Sequence, residues 1–169
     1  MAEVVIEELN RDNPFDVRET AQLLLRTFRK QYHGQATLTR MIQDIDLTRQ
    51  NRVHVFIARS GGKIVGVANG GFNTPLQVSH VEEIQRHIGA GNYFLSNLAV
   101  HPDFRRRGIA KRLTARRIEH ARQLGCKVAY GGTNESSEHH VARKAQFEKE
   151  GFTHLAALNG EHYYYKRLR

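Results

Sequence analysis

The stretch from Tyr93 to Leu113 restricts the chain more than any other. An apolar run, Tyr93-Phe94-Leu95-Ser96-Asn97-Leu98-Ala99-Val100, stops at His101-Pro102, and the basic turn Arg105-Arg106-Arg107-Gly108 then opens a helical pattern. A strand that feeds a glycine-containing turn into a helix start leaves several backbone N–H groups pointing outward, with no carbonyl inside the helix to receive them. Together with the helix dipole they make an anion site, best suited to a phosphate or pyrophosphate. Arg105, Arg106, Arg107, Lys111, Arg112, Arg116, Arg117 and Arg122 all crowd onto this turn and the helix behind it.

That local charge is part of a wider excess. The 169 residues carry a formal net charge of +9, which favours a polyanionic or phosphorylated partner. Charge-driven nucleic-acid binding is disfavoured, because no helix-turn-helix, aromatic RNA-binding strand or zinc pattern accompanies it. A nucleotide-hydrolysing loop is disfavoured by the lack of a Gly-x-x-x-x-Gly-Lys-Ser/Thr run. Cys126 is the only cysteine, so neither an intrachain disulfide nor a cysteine-based metal cluster is available, and no metal is expected. No apolar run is long enough to span a membrane, and the start lacks the layout of a secretory signal. We therefore expect a cytoplasmic protein, one domain over residues 1–169, with a homodimer as the oligomer to consider.

Apolar periodicity and turn residues divide the rest of the chain. Val4–Leu9 reads as a strand. Asn13-Pro14 starts a helix that runs to about Tyr32 and closes at Gly34, and Thr37 caps a second one carrying Leu38, Met41, Ile42, Ile45 and Leu47. Val53–Arg59 and Lys63–Ala68 form a hairpin around Ser60-Gly61-Gly62, and Asn69-Gly70-Gly71 bends or ends the second strand. Past a loop at Thr74-Pro75, a short helix with Val78, Val81, Ile84 and Ile88 closes at Gly89 and forms an inserted wall. After the central stretch come a strand at Cys126–Tyr130, a polar loop at Gly131–Ser137, and a helix from Glu138 to Lys149. Two last strands are joined by Asn159-Gly160. The order predicts an α+β domain of α/β-type three-layer build, with a mixed, mostly antiparallel sheet flanked by helices.

Here the residues resemble a family. Arg105-Arg106-Arg107-Gly108-Ile109-Ala110 looks like the Arg/Gln-x-x-Gly-x-Gly/Ala pyrophosphate loop of the GNAT superfamily of N-acetyltransferases. Leu98-Ala99-Val100-His101-Pro102 sits where the family has its Leu-x-Val-x-Pro strand end, and Phe147-Glu148-Lys149-Glu150-Gly151-Phe152 resembles its Tyr-Glu-Lys-x-Gly-Phe close. The resemblance implies acetyl-CoA as co-substrate, a primary amine of a small molecule or protein as acceptor, and direct attack of that amine on the thioester. It implies that backbone groups from Arg105 through Arg106, Arg107, Gly108, Ile109 and Ala110 cradle the pyrophosphate. Arg106, Arg107, Lys111 or Arg112 would meet the outer phosphates. The strand edge Leu98, Ala99 and Val100 would pair with the pantetheine amides, the Leu98 N–H would face the thioester oxygen, and Asn134 would hydrogen-bond the pantetheine.

The same resemblance shows where this chain departs from the pattern. An amine with a pKa of about 10.4 must lose a proton before it attacks. The carboxylate that several relatives place early on the strand before the loop falls here on Phe94, which leaves Glu82 and Glu83 of the inserted helix as candidate bases. The tyrosine that often serves the leaving thiolate falls on Phe147. His140 and Tyr130 are the candidates for that acid, His140 because an imidazole titrates near neutrality. In the Tyr163-Tyr164-Tyr165 run, Tyr164 should face opposite to its neighbours. A non-catalytic acyl-CoA-binding regulatory module of the same fold is the alternative reading.

Overall fold

The structure is a computed structural model describing residues 2–28, 37–50, 53–72, 81–89 and 91–169; for residues 47–50 and 81 it describes the backbone alone. The expected helix end at Tyr32 and Gly34, the Thr74-Pro75 loop, Val78 and the side chain of Leu47 lie outside these residues. In chain order the elements are β1 (Val4–Glu8), α1 (Pro14–Phe28), α2 (Leu38–Gln50), β2 (Val53–Ser60), β3 (Lys63–Phe72), α3 (Val81–Ile88), β4 (Asn92–Val100), α4 (Ile109–Gln123), β5 (Val128–Asn134), α5 (His140–Lys149), β6 (Thr153–Leu158) and β7 (Glu161–Arg167). The seven strands make one sheet in the order β1-β2-β3-β4-β5-β7-β6. β1 and β2 pair antiparallel, as do β5 with β7 and β6 with β7, whereas β4 and β5 run parallel. This is the mixed, mostly antiparallel sheet the element order predicted.

The chain divides into two compact units. The first, Met1–Gly70 with Asn97–Arg117, is layered. α1 and α2 put Ala21, Leu24, Met41 and Ile45 against Val55, Ile57, Val67 and Ala99 on one side of the strands. On the other side α4 puts Ile109 and Leu113 against Phe56, Ala58, Val65 and Ala68. The helix starts follow their caps: the Asn13 side chain accepts from the Phe15 N–H at 3.1 Å, and Thr37 accepts from the Arg40 N–H at 3.2 Å. Gly66 lets α4 come close to β3, because a Cβ there would meet Ile109 Cγ2 at 3.0 Å and Leu113 Cδ1 at 3.1 Å.

The second unit comprises Gly71–Ser96 and Ile118–Arg169. Tyr93, Leu95, Ile118, Ala121, Phe147, Phe152 and Tyr164 form one of its cores. Ile84 and Ile88 of α3 join Val128, Tyr130 and Tyr163 in the other, with Phe94, Leu155, Leu158 and Tyr165 packed at its margin. Tyr163 and Tyr165 thus share a face and Tyr164 takes the opposite one, as the alternation of a strand requires. Asn159 and Gly160, at φ 51° and 79°, make the tight turn that joins β6 and β7.

Three boundaries differ from the sequence reading. β3 runs through Gly70 and Gly71 to Phe72. β5 starts at Val128 and runs through Gly131-Gly132 to Asn134, where a polar loop was expected. A Cβ on Gly131 would meet Phe147 Cζ at 2.9 Å and the Leu95 carbonyl at 3.0 Å, and one on Gly132 would meet the Tyr163 ring at 3.1 Å. These glycines leave room for aromatic rings from distant segments and turn nothing. α5 begins at His140 rather than Glu138, with Ser137 Oγ accepting from the His139 N–H at 3.2 Å.

Candidate active site

In the first unit, the end of β4 leads into a loop built for an anion. His101 N–H still bonds to the Val65 carbonyl at 2.9 Å, and Pro102 then opens a single 3-10 turn that closes through Arg105 N–H to the Pro102 carbonyl at 3.2 Å. Arg106 at φ 61° and Gly108 at φ 76° turn the backbone through left-handed conformations. For Arg106 that conformation costs about 1–2 kcal/mol, the kind of local strain that marks a working site. Nothing lies within 4 Å of where a Gly108 Cβ would be, so the fold leaves the space above this residue open. Arg112 N–H bonds to the Gly108 carbonyl at 3.0 Å, closing the first turn of α4. The amides of Gly108, Ile109, Ala110 and Lys111 precede that bond and have no carbonyl within the helix to use. Four donors at the positive end of a helix dipole converge above an open glycine.

The side chains around this loop fall into distinct groups. Arg105, Arg106, Arg107, Gly108 and Lys111 are exposed, while Ile109 is buried and Ala110 half-buried. Arg105 Nε donates to the Val100 carbonyl at 3.2 Å. Arg107 donates to the Asp103 carbonyl at 2.8 Å and lies over the Phe104 ring at 4.9 Å, and Arg112 donates to the Val4 carbonyl at 2.9 Å. Arg117 does not belong to the basic surface at all. It is fully buried, donating to the Asn69 carbonyl at 2.9 Å and to Thr114 Oγ1 at 3.1 Å. Its spacing of four from Leu113 and from Ala121 set it on the apolar stripe of α4, a signal that its charge masked in the sequence.

β4 changes phase as it approaches the loop. Tyr93 and Leu95 belong to the core that includes Ile118 and Ala121 of α4. Leu98 and Val100 instead join Ile109 and Leu113 of that helix, while Ala99 joins α1 and α2. Odd-numbered residues belong with α4 up to Leu95 and even-numbered ones from Leu98, so the facing of the strand exchanges around Ser96–Asn97. The β4–β5 ladder runs from Asn92↔Val128 only to Leu95↔Gly131, although β4 continues to Val100 and β5 to Asn134.

The second unit carries the remaining expected site residues. Tyr130 lies mid-strand rather than at a strand end, its ring 5.1 Å from that of Phe94, and burial pushes its hydroxyl pKa up to about 12. It therefore stays a protonated donor throughout the physiological range. The Asn134 Oδ1 accepts from the Ser136 N–H at 2.9 Å and the Ser136 hydroxyl at 2.6 Å, which leaves its amide nitrogen as the donor it can offer. His140 is the first residue of α5; its ring stands 5.3 Å from that of His162, and its Nδ1 is buried. Phe147 is buried and stacked on Tyr164 at 5.1 Å, with the Arg143 guanidinium over its ring at 4.2 Å. Glu82 is exposed and Glu83 half-buried on α3.

Two acidic pairs escaped the sequence reading. His162 Nε2 lies 2.5 Å from Glu135 Oε1, and His162 Nδ1 lies 3.3 Å from His154 Nε2; the imidazole beside Glu135 holds that carboxyl below its usual range. On the other face of β7, the Tyr163 hydroxyl donates to the Glu161 carboxylate. No one-dimensional pattern marks the Glu135–His162 pair, whereas Glu161 and Tyr163 share a face of β7 by alternation alone.

A helix start with open amides and free space over a left-handed glycine is a backbone arrangement suited to an anion. The model of the Acetyltransferase (GNAT) family matches residues 17–152, and the chain belongs to that family. Among solved structures, the fold is similar to an N-acetyltransferase from Staphylococcus aureus Mu50 at 19% identity and TM-score 0.73, covering 99% of this chain and 100% of that one. It is also similar to the PaiA N-acetyltransferase of Thermoplasma acidophilum in complex with coenzyme A, at 11% identity and TM-score 0.70, covering 98% and 99% of the two chains. An aminoglycoside 6′-N-acetyltransferase complexed with coenzyme A is similar at 17% identity and TM-score 0.70, over 98% and 97%. A search of curated protein sequences finds no match.

Proposed function

We propose that this chain is an N-acetyltransferase that moves the acetyl group of acetyl-CoA to a primary amine by direct attack. The observation that carries the reading is the loop from Arg105 to Lys111, with Gly108 at φ 76° under open space. A pyrophosphate fits there because bare backbone lets it approach the amides of Gly108 to Lys111 closely. Arg106, Arg107, Lys111 or Arg112, exposed around the loop, supplies charge-assisted hydrogen bonds to its outer oxygens. Leu98, Ala99 and Val100 offer strand-edge groups to the pantetheine amides, and the Asn134 amide nitrogen offers a further donor to the same arm. The Leu98 N–H polarises the thioester carbonyl, a contribution of about 10²–10³ in rate for a preorganised donor. The amine nitrogen attacks the carbonyl carbon, the C–N bond forms, the C–S bond breaks and its electron pair leaves on sulfur. His140 and Tyr130 remain the candidate donors to that thiolate.

A binding module without catalysis is favoured by one observation: both family positions for proton transfer hold phenylalanine, Phe94 and Phe147, and Phe147 is buried. One experiment separates the readings. Titration calorimetry with acetyl-CoA tests the loop, and free CoA release across a panel of primary amines tests transfer. Binding with transfer supports the enzyme; tight binding with no transfer to any amine supports the module. Absence of binding rejects both.

A further inference from the structure

Within the second unit, strand register gathers three imidazoles, of which the sequence singles out only His140. His154 pairs with Tyr164 and His162 with Ala157, so His154 and His162 share the Tyr164 face of the β6–β7 hairpin at diagonal positions. The register shifts between His154 and Ala156, a bulge that re-aims the side chains beside it. His162 Nδ1 and His154 Nε2 face each other at 3.3 Å. That is long for an N–H hydrogen bond, which spans about 2.7–3.2 Å. It matches two imidazole nitrogens on one tetrahedral ion, which stand about 3.3–3.4 Å apart when each lies about 2.0–2.1 Å from the metal. The far nitrogen of His162 sets the tautomer. Glu135 N–H bonds to the Gly160 carbonyl at 2.9 Å, and the Glu135 carboxylate lies 2.5 Å from His162 Nε2. An ionised carboxylate only accepts, so the proton sits on Nε2 and Nδ1 keeps its lone pair on the His154 side. A carboxylate on the far ring N–H is how metal-ligating histidines are oriented. Tyr164 stands edge-on to His154 at 5.2 Å with Phe147 stacked on it, and His140 flanks His162 at 5.3 Å. The pair is open to solvent: His154 is exposed and the His162 side chain keeps 22% of its surface.

We propose that His154 Nε2 and His162 Nδ1 form a binding site for one divalent transition-metal ion of the zinc and copper kind, with Glu135 orienting His162. Among the described residues no three His, Cys, Asp or Glu side chains are placed to hold one ion, so water fills the remaining positions. Imidazole suits Zn(II), Ni(II) and Cu(II), whereas Mg(II) takes oxygen ligands. The ion replaces the proton between the two rings and ties β6 to β7 across the bulge. His140 packs beside the pair with its Nδ1 buried and is not a ligand. Lys166, the cation on the same face of β7, donates to the Glu150 carbonyl at 2.7 Å at the strand end away from the Asn159-Gly160 turn. A single cysteine rules out a thiolate cluster, but two imidazoles joined by register lie outside that argument. The site needs no acetyl transfer, so it stands or falls apart from the transferase reading.

The test is titration calorimetry of the full chain, free of any polyhistidine tag, with zinc chloride and then magnesium chloride. Zinc should bind and magnesium should not. Glu135→Ala should weaken zinc binding by about 10–100-fold, the usual worth of a carboxylate behind a ligating histidine. His154→Gln and His162→Gln should each weaken it by more than that, and His140→Gln should leave it within a few-fold of the native chain. A second measurement needs no variant: on adding zinc, the ring ¹⁵N resonances of the native chain should shift at His154 Nε2 and His162 Nδ1. No zinc uptake by the native chain overturns the proposal, as does equal uptake of magnesium. So does uptake that survives both His154→Gln and His162→Gln, the mark of an adventitious ion only. A loss in His140→Gln as large as in His154→Gln, or ¹⁵N shifts confined to other histidines, overturns the choice of ligands.

Discussion

Gly108 and Gly131 lack side chains for opposite reasons. Gly108 has φ 76° and empty space around it, whereas Gly131 lies in a strand with Phe147 at 2.9 Å and the Leu95 carbonyl at 3.0 Å. The space at the first is open; the second is bare because the protein already fills the space. Around Gly108 the working groups are backbone amides fixed by one local turn. Around Gly131 and Gly132 they are side chains from β7 and α5, fixed by register and packing. A site made by local backbone tolerates change in its side chains, and one made by register does not.

The largest effect expected from breaking this contrast is at Gly108. Gly108→Glu sets a carboxylate in the anion's space and should weaken acetyl-CoA binding by more than about 100-fold, or about 2.7 kcal/mol. Its urea midpoint should move only by the cost of a left-handed non-glycine residue, about 1–2 kcal/mol. Calorimetry and denaturation on the same sample check both halves, and unchanged affinity would sink the loop assignment.

Next comes Tyr130, which titrates from 10.0 up to about 12 because burial disfavours its phenolate. A raised folded value means the native state holds the proton longer, so this stabilisation is complete below about pH 10 and is lost as the pH climbs toward 12. The loss across that window is roughly 2–3 kcal/mol at 1.36 kcal/mol per unit. Tyr130→Phe should flatten that segment of the stability profile; a profile as steep as the native one would refute the assignment.

Gly131→Ala should cost about 1–3 kcal/mol of stability from overpacking. Combining it with Phe147→Leu should recover part of that cost, and a strictly additive pair would show that the ring is not what fills the space. The smallest effect belongs to Arg106. Arg106→Gly relieves its left-handed backbone, so stability should hold or rise by up to about 1 kcal/mol, while acetyl-CoA affinity falls about 3–10-fold from one lost charge-assisted contact. Affinity that holds along with stability would assign the loop's binding to its amides alone.

The same contrast explains what could be read in advance. The strand, proline, basic turn and helix start around Gly108 are adjacent in sequence and encode their geometry locally, so the loop was legible residue by residue. So were the caps at Asn13 and Thr37, the hairpin at Asn159-Gly160 and the alternation of Tyr163 to Tyr165. Gly131-Gly132 was misread as a loop because paired glycines usually turn a chain. What requires them is Phe147 and Tyr163, more than fifteen residues away in sequence. The Glu135–His162 pair was invisible for the same reason: its two members come from distant segments. Arg117 was legible in principle, since its spacing placed it on the buried stripe, but charge outweighed period in the reading.

The turn at Asn159-Gly160 has an evolutionary consequence. It sets the frame of β7, and a shift of one residue in a strand exchanges its two faces. An insertion or deletion there would move Glu161, Tyr163 and Tyr165 to the α5 side and bring His162 and Tyr164 to the α3 side. A single-codon change in this turn would thus exchange the titratable groups that β7 presents on its two faces. Turn length is thus a heritable variable of which side chains each face of the sheet carries.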